Sequence, residues 1–264
     1  MVFEFYQLTA AVYLAAAVVA TLGFVLPSQR LSRAAVAGLI LGVLVHSLAF
    51  WQLHTLDSPP PLTQLSFVVS MVAWMGTLFY LVLLIRVRLL GLAVVVAPLA
   101  FVGTFSEFLR APAVAAEKIP LSPVWSHVHV LLSSAGLALL AVAGLAGGLY
   151  IAHHRTIKSK RPRAIRLPLP SLEALDRVNA LALVVGFLLL SLGVLTGILW
   201  THEVERRFWP ATAHANATLA AWLVLAALVV ARFGAGQGAR QSARSSMAGF
   251  AFMLIAVVGV GMLR

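Results

Sequence analysis

The sequence predicts an all-α polytopic membrane protein, a bundle of eight transmembrane helices with both termini on the outer, periplasmic side. Two observations predict this class. Of the 264 residues, 61% are hydrophobic and only 10% are charged, whereas a soluble domain carries about 25% charged residues. The apolar residues also fall into eight runs of about the 20 residues that a helix needs to cross a bilayer. A soluble globular enzyme and a disordered chain are therefore excluded.

The eight predicted spans make up a single integral membrane domain over residues 1–264. The first run is too long, and too weakly basic at its start, for a cleaved signal peptide, so we interpret it as the first span. Before the sixth span, a Leu-Pro-Leu-Pro sequence cannot be helical throughout, and Ser171 after it is expected to cap a helix. The predicted spans are 5–26, 33–53, 64–85, 90–108, 125–151, 179–200, 214–232 and 246–263.

The charged residues predict the orientation of these spans. Alternate connections hold 14 of the 19 Lys and Arg residues, whereas six of the eight acidic residues lie with the opposite set. Because cytoplasmic loops are enriched in Lys and Arg, the basic connections are predicted inside and both termini outside. The net charge of +11 thus reflects topology, and we predict no nucleic-acid partner. Membrane lipid headgroups are the expected partner of the basic segment 155–166.

Six of the eight histidines are predicted to lie at the outer rim of the bundle, and ionisable residues inside a membrane usually have a function. Two of them are deep enough to need a partner, and neutral imidazoles suit a transition metal or haem iron. The chain has no cysteine, which excludes a thiolate site and thioether-bound haem. Non-covalent haem b with two histidine ligands therefore fits best. The six are His46, His54, His127, His129, His202 and His214.

We predict His129 and His46 as the iron ligands, with His214 as the alternative second ligand. His129 is preferred to His127 because the two point to nearly opposite sides of a helix and His129 is deeper. A lone membrane histidine is more often a packing residue than a ligand, and interfacial tryptophans also form an aromatic belt, so these alternatives stay open. The aromatic residues expected around the haem are Phe50, Trp51, Phe67, Trp74, Phe208 and Trp209, with Trp125 and Trp200 as its walls.

Four segments match a known family in their order and spacing. They are Pro61-Leu-Thr-Gln-Leu-Ser, Trp125-Ser-His-Val-His129-Val-Leu-Leu-Ser-Ser-Ala, the stretch 167–197, and Gly249-Phe250 to Gly259-Val-Gly. On these segments the chain resembles the membrane proteins of cytochrome c assembly, the haem-handling superfamily that includes CcsA and CcmC. It is most similar to the short eight-span branch typified by YpjD and HemX.

The resemblance implies a bacterial inner-membrane protein that binds haem and is accessory to cytochrome maturation or haem supply. It places His129 at the family's haem-histidine position, and it implies an apocytochrome or another biogenesis protein as partner. The chain departs from the haem lyases, however. Their Trp-Asp-Pro-Lys-Glu before span 7 is replaced by Arg207-Phe-Trp-Pro210-Ala-Thr-Ala-His214, their span 7 histidine by Val230, and the chain stops at Arg264, before their second external histidine. We therefore do not expect the activity of a complete cytochrome c synthase.

Two other functions remain open. The first is a haem-free membrane scaffold that binds a partner protein, in which the histidines only pack or form hydrogen bonds. The second is a small-molecule transporter, which would need helices that are broken at mid-membrane. Pro98 is the only proline inside a predicted span, which disfavours the transporter.

Overall fold

In the part of the chain that the structure describes, eight α-helices follow one another, as the sequence predicts. The computed structural model describes residues 2–53, 55, 64–87, 90–108, 123–158, 170–210 and 212–262. Every regular element within these residues is helical. The helices are α1 (Val2–Val25), α2 (Gln29–Leu53), α3 (Leu65–Arg86), α4 (Ala93–Phe108, after a 3₁₀ turn at Leu90–Leu92), α5 (Pro123–Lys158), α6 (Leu172–Glu205), α7 (Ala213–Phe233) and α8 (Ala239–Met262). His54 and most of the basic segment 155–166 lie outside the described residues.

The described helices have the composition of membrane spans. Seven of them, α1 to α7, are long and apolar enough to cross a bilayer, and α8 is a helix of 24 residues that carries Arg240 and Arg244 in its first two turns. Large apolar side chains on these helices stay exposed, for example Val25 at 66%, Ile85 at 79% and Val230 at 65%. Lipid covers such side chains in a membrane. The protein is thus a multi-pass membrane protein, and the outer position of its termini stays a prediction.

Two helices, α5 and α6, extend beyond the predicted spans because polar residues continue the helix outside the apolar run. α6 begins at Leu172 rather than at residue 179, because Ser171 caps it and its Oγ accepts the N–H of Ala174 at 3.2 Å. The predicted cap is therefore confirmed. α5 likewise extends to Lys158, beyond the predicted end at residue 151. Hydrophobicity predicts only the part of a helix that lies in hydrocarbon, whereas capping residues decide where the helix begins.

The chain divides into two compact units, each described here by itself. α1 to α4 form unit 1, in which α1 packs against α2 and α4, and α3 packs against α4. α5 to α8 form unit 2, in which α5 packs along α6 and against α8, and α7 packs against α8 and α6. The single domain over residues 1–264 stays a prediction.

Glycines bring α5 and α6 into direct backbone contact in unit 2. A Cβ added to Gly136 would come within 2.9 Å of the Leu190 backbone nitrogen, and one added to Gly186 within 3.1 Å of the Gly136 carbonyl oxygen. One added to Gly193 would overlap Ser133. These small residues thus form a close-packing face between α5 and α6. The two helices run antiparallel, so the next turn of this contact brings residue 129 opposite residue 197.

Candidate functional site

His129 is held by the backbone of the neighbouring helix. Its Nδ1 lies 2.8 Å from the carbonyl oxygen of Gly193. A carbonyl oxygen only accepts hydrogen bonds, so Nδ1 is the nitrogen that carries the hydrogen. In the neutral imidazole, Nε2 then keeps its lone pair. Among the described residues no side chain or backbone group bonds this nitrogen, which leaves it able to coordinate a metal.

Two glycines of α6 make this arrangement possible. Gly193 has no side chain, so its carbonyl is accessible from α5. A Cβ added to Gly197 would lie 2.9 Å from both Cε1 and Nδ1 of His129, so the imidazole lies directly against the backbone. The hydroxyl of Thr196 also donates to the Gly193 carbonyl, at 3.0 Å. Position and tautomer of the imidazole are thus both fixed by α6.

Trp200 lies beside His129 on the same face of α6 as Gly197. The centroids of the two rings are 6.0 Å apart and their planes are inclined by 37°. The indole Nε1 of Trp200 is buried and has no hydrogen-bond acceptor among the described residues. Trp125 lies one turn before His129 on α5 and is half-buried. Of the predicted walls, the structure therefore brings Trp200 next to the imidazole and places Trp125 on the adjacent turn.

His46 lies on α2 at the centre of unit 1 and is completely buried. Its Nε2 lies 2.9 Å from Oγ of Ser70 on α3, and its Nδ1 has no partner among the described residues. Phe50 stacks on the imidazole with a centroid distance of 4.6 Å. Tyr6 and Tyr13 contact it edge-on, at 6.0 Å and 5.9 Å. These rings fill the space around His46, so a porphyrin would fit only if they moved.

A second layer of contacts supports this aromatic cluster. Phe67 and Trp74 pack edge-on against Phe50, at 5.5 Å and 5.7 Å. A Cβ added to Gly42 would overlap the ring of Tyr13, so this glycine lets the tyrosine reach His46. Trp51, which the sequence placed near the haem, is instead 72% exposed. Apart from Trp51, the predicted aromatic residues of spans 2 and 3 thus form one cluster around His46.

Three other outer-rim histidines, which lie in described helices, are near the helix ends. His214 is in the first turn of α7, and its side chain lies outside what the structure describes. His127 is exposed on α5. His202 stacks on Phe208 with a centroid distance of 4.2 Å. In the described part of the chain, no three His, Asp or Glu side chains come together as a metal-binding group.

Two polar contacts in unit 2 could not be anticipated from the sequence. Asp176 of α6 accepts hydrogen bonds from Nη2 of Arg232 on α7 with both carboxylate oxygens, at 2.8 Å. Asn179 donates to the carbonyl of Ala143 on α5 at 2.7 Å and accepts from a serine hydroxyl of α8, that of Ser242, at 3.2 Å. These contacts join all four helices of the unit. Opposite charge was the one sequence feature that could have indicated the ion pair, but it did not identify Arg232 among the arginines of the chain as the partner of Asp176.

Fold and site together define a multi-pass helical membrane protein whose intramembrane histidines are held by hydrogen bonds from neighbouring helices. A model of the protein family described as Cytochrome C assembly protein matches residues 6–264 of this chain. The chain therefore belongs to the cytochrome c assembly protein family.

Curated relatives match a shorter part of the chain. The cytochrome c biogenesis protein CcsA of Prochlorococcus marinus (strain MIT 9303) is 33% identical over 91 residues, which are 34% of this chain and 29% of the relative. The CcsA of Synechococcus sp. (strain CC9311) is 32% identical over 91 residues, covering 34% and 30%. That of Synechococcus sp. (strain RCC307) is 30% identical over 96 residues, covering 36% and 31%. The matched stretch spans about three-tenths of the length of each relative.

Proposed function

We propose that this protein binds haem in the bacterial cytoplasmic (inner) membrane and serves as an accessory protein in cytochrome c maturation or haem supply. Membership of the cytochrome c assembly family, over nearly the whole chain, supports this role. The observation that carries the proposal is the hydrogen bond of 2.8 Å between Nδ1 of His129 and the Gly193 carbonyl. Haem-binding and metal-binding histidines need such a second contact, which fixes the tautomer and makes the free nitrogen a better ligand.

The residues around His129 fit a non-covalently bound b-type haem. Nε2 of His129 would hold the iron, and Trp125 and Trp200 would supply the aromatic walls that a porphyrin requires. The chain has no cysteine, so no thioether bond to the vinyl groups forms. When bound, the haem supplies an iron that changes its redox state. The contribution of the chain is to orient the imidazole through Gly193 and Gly197 and to exclude water from the ring.

The second residue that would hold the iron is His46 or His214. Coordination by His46 requires either its unpartnered Nδ1 or the release of Nε2 from Ser70. His214 begins α7 in the same unit as His129. We propose His214 as the first choice and His46 as the alternative. Separate variants, His214→Ala and His46→Phe, distinguish the two, because the loss of a residue that would hold the iron together with His129 would change the absorption spectrum of the bound haem.

The protein is proposed to lie with both termini on the periplasmic side, so that His129 is near the outer leaflet. The partner is then an apocytochrome or another protein of cytochrome biogenesis, reached from that side. The basic connections contact the headgroups of anionic lipids on the cytoplasmic side.

A haem titration tests the proposed function. The full chain is purified in a mild detergent and titrated with haem b, and the Soret absorption is followed. We expect saturable binding with a stoichiometry of one, which is lost in His129→Ala. The matched control is His127→Ala, two residues away and exposed, which should bind haem as the wild type does. A Soret band that is the same in all three proteins would refute the role of His129.

One observation favours the second function, that of a haem-free scaffold. His46 is enclosed by aromatic rings of its own unit and hydrogen-bonded to Ser70, as a purely structural histidine would be. The scaffold predicts that no pigment binds to the pure protein and that a partner protein copurifies with it in a fixed ratio. The same titration therefore separates the two functions.

A further inference from the structure

The indole N–H of Trp200 is a buried hydrogen-bond donor without an acceptor among the described residues. Leaving such a donor unsatisfied costs about 1–3 kcal/mol, so native proteins rarely keep one. Other tryptophans of this chain do have acceptors. Trp74 donates to Ser47 at 3.1 Å, and Trp222 donates to Ser191 at 2.8 Å. The unsatisfied donor of Trp200 therefore calls for an explanation.

The position of Trp200 connects this donor with the site at His129. The two rings lie 6.0 Å apart, and Trp200 follows by one turn the glycine against which the imidazole lies. The register of α5 and α6 also places Trp200 level with the first turn of α5, which begins at Pro123. The positive end of that helix dipole favours negative charge nearby. The formal charges that follow on the chain, those of Glu203, Glu205, Arg206 and Arg207, cancel.

We infer that the indole N–H of Trp200 donates a hydrogen bond to a carboxylate of the porphyrin that His129 binds. The inference rests on the proposed function and deepens it. Trp200 then acts as more than an apolar wall, because it recognises the acidic edge of the ligand and sets its rotation about the bond from iron to Nε2. An ionised acceptor forms a stronger hydrogen bond with such a donor than a neutral one, so the site prefers a free carboxylate to its ester.

The test compares haem b with haem dimethyl ester, in which both carboxylates are capped by methyl groups. The full chain in mild detergent is titrated with each, and the two dissociation constants are compared. We expect wild-type protein to bind haem about tenfold more tightly than the ester, as one charge-assisted hydrogen bond implies. Trp200→Phe keeps an aromatic wall and removes the donor. It should weaken the binding of haem about tenfold more than it weakens the binding of the ester, and so bring the ratio of the two dissociation constants close to one.

The matched control is Trp222→Phe, which removes an indole of the same unit whose N–H is already bonded to Ser191. Its ratio should equal that of the wild type. Equal affinity of wild-type protein for haem and its ester, or an unchanged ratio in Trp200→Phe, overturns the inference and leaves the proposed function standing. Absence of binding of either compound to wild-type protein overturns both. The wild-type comparison needs no variant, so it holds even if Trp200→Phe fails to fold.

Discussion

The imidazole of His129 lies so close to Gly197 that a Cβ at residue 197 would come within 2.9 Å of two ring atoms. Gly197→Ala must therefore push the imidazole off the α6 backbone and lengthen its hydrogen bond to Gly193. Changes of such supporting contacts typically cost about 10–100-fold in affinity for the bound metal. We expect a loss of this size in haem affinity, measured by titration, together with a shift of the Soret maximum.

Gly148→Ala on α5 is the control for this substitution. There an added Cβ would meet Met247 only at 3.8 Å, which is an ordinary van der Waals contact. Its haem affinity should match that of the wild type. If Gly197→Ala also binds haem normally, the imidazole does not need the position that the glycine gives it.

The hydrogen bond between His46 and Ser70 should contribute to the stability of unit 1. Ser70→Ala leaves Nε2 of a fully buried imidazole without a partner, which costs about 1–3 kcal/mol in the free energy of unfolding in detergent. Replacing both partners in His46→Phe/Ser70→Ala removes the unsatisfied group, so the double variant should lose less than the sum of the two single losses.

Ser106→Ala is a suitable reference for Ser70→Ala, since the hydroxyl of Ser106 donates to the Gly103 carbonyl of its own helix. It should cost less than Ser70→Ala. Strict additivity in the double variant would show that the contact between His46 and Ser70 carries no coupling energy.

The ion pair of Asp176 and Arg232 should stabilise unit 2 by linking α6 to α7. Its side chains are only 25% and 13% exposed, and a hydrogen bond to a charged partner contributes about 1.5–3 kcal/mol. Asp176→Ala should lower the free energy of unfolding by that amount. Glu173→Ala is the control. Both side chains of the pair between Glu173 and Arg177 are exposed, and such exposed pairs contribute about 0.3–0.5 kcal/mol. Equal losses in Asp176→Ala and Glu173→Ala would contradict this account.

The helices and their order follow from the sequence because the bilayer sets a simple rule: about 20 apolar residues make a span. The cap at Ser171 follows equally well, since a serine hydroxyl satisfies the first free N–H groups of a helix. The pairing of His129 with Gly193 does not follow, because it depends on the register of α5 against α6. The glycines of α6 indicate a packing face without indicating which residue of α5 lies on it.

The partner of His46 cannot be predicted from the energetic cost of burying an imidazole. That cost requires a partner for the ring nitrogens, and haem iron and a serine hydroxyl both meet this requirement. The structure places Ser70 against Nε2, a contact across 24 residues that hydrophobic periodicity does not encode. Likewise, the ion pair of Asp176 with Arg232 of α7 depends on tertiary structure, because the two residues are 56 positions apart in the sequence.

The predicted orientation can be tested with single cysteines, since the chain has none of its own. Thr55 and Ala235 are both exposed, on connections predicted to face the periplasm and the cytoplasm, respectively. In intact cells, a maleimide that does not cross the inner membrane should label Thr55→Cys, and it should label Ala235→Cys only after the cells are lysed. The reverse pattern would place both termini in the cytoplasm.

Binding of haem iron by Nε2 of His129 can be measured in the reduced-minus-oxidised difference spectrum of the purified full chain. We expect the α and Soret bands of a b-type haem in the wild-type protein, and their loss in His129→Ala while His127→Ala keeps them. A wild-type protein without these bands after haem supplementation, or a His129→Ala spectrum identical to that of the wild type, would contradict it.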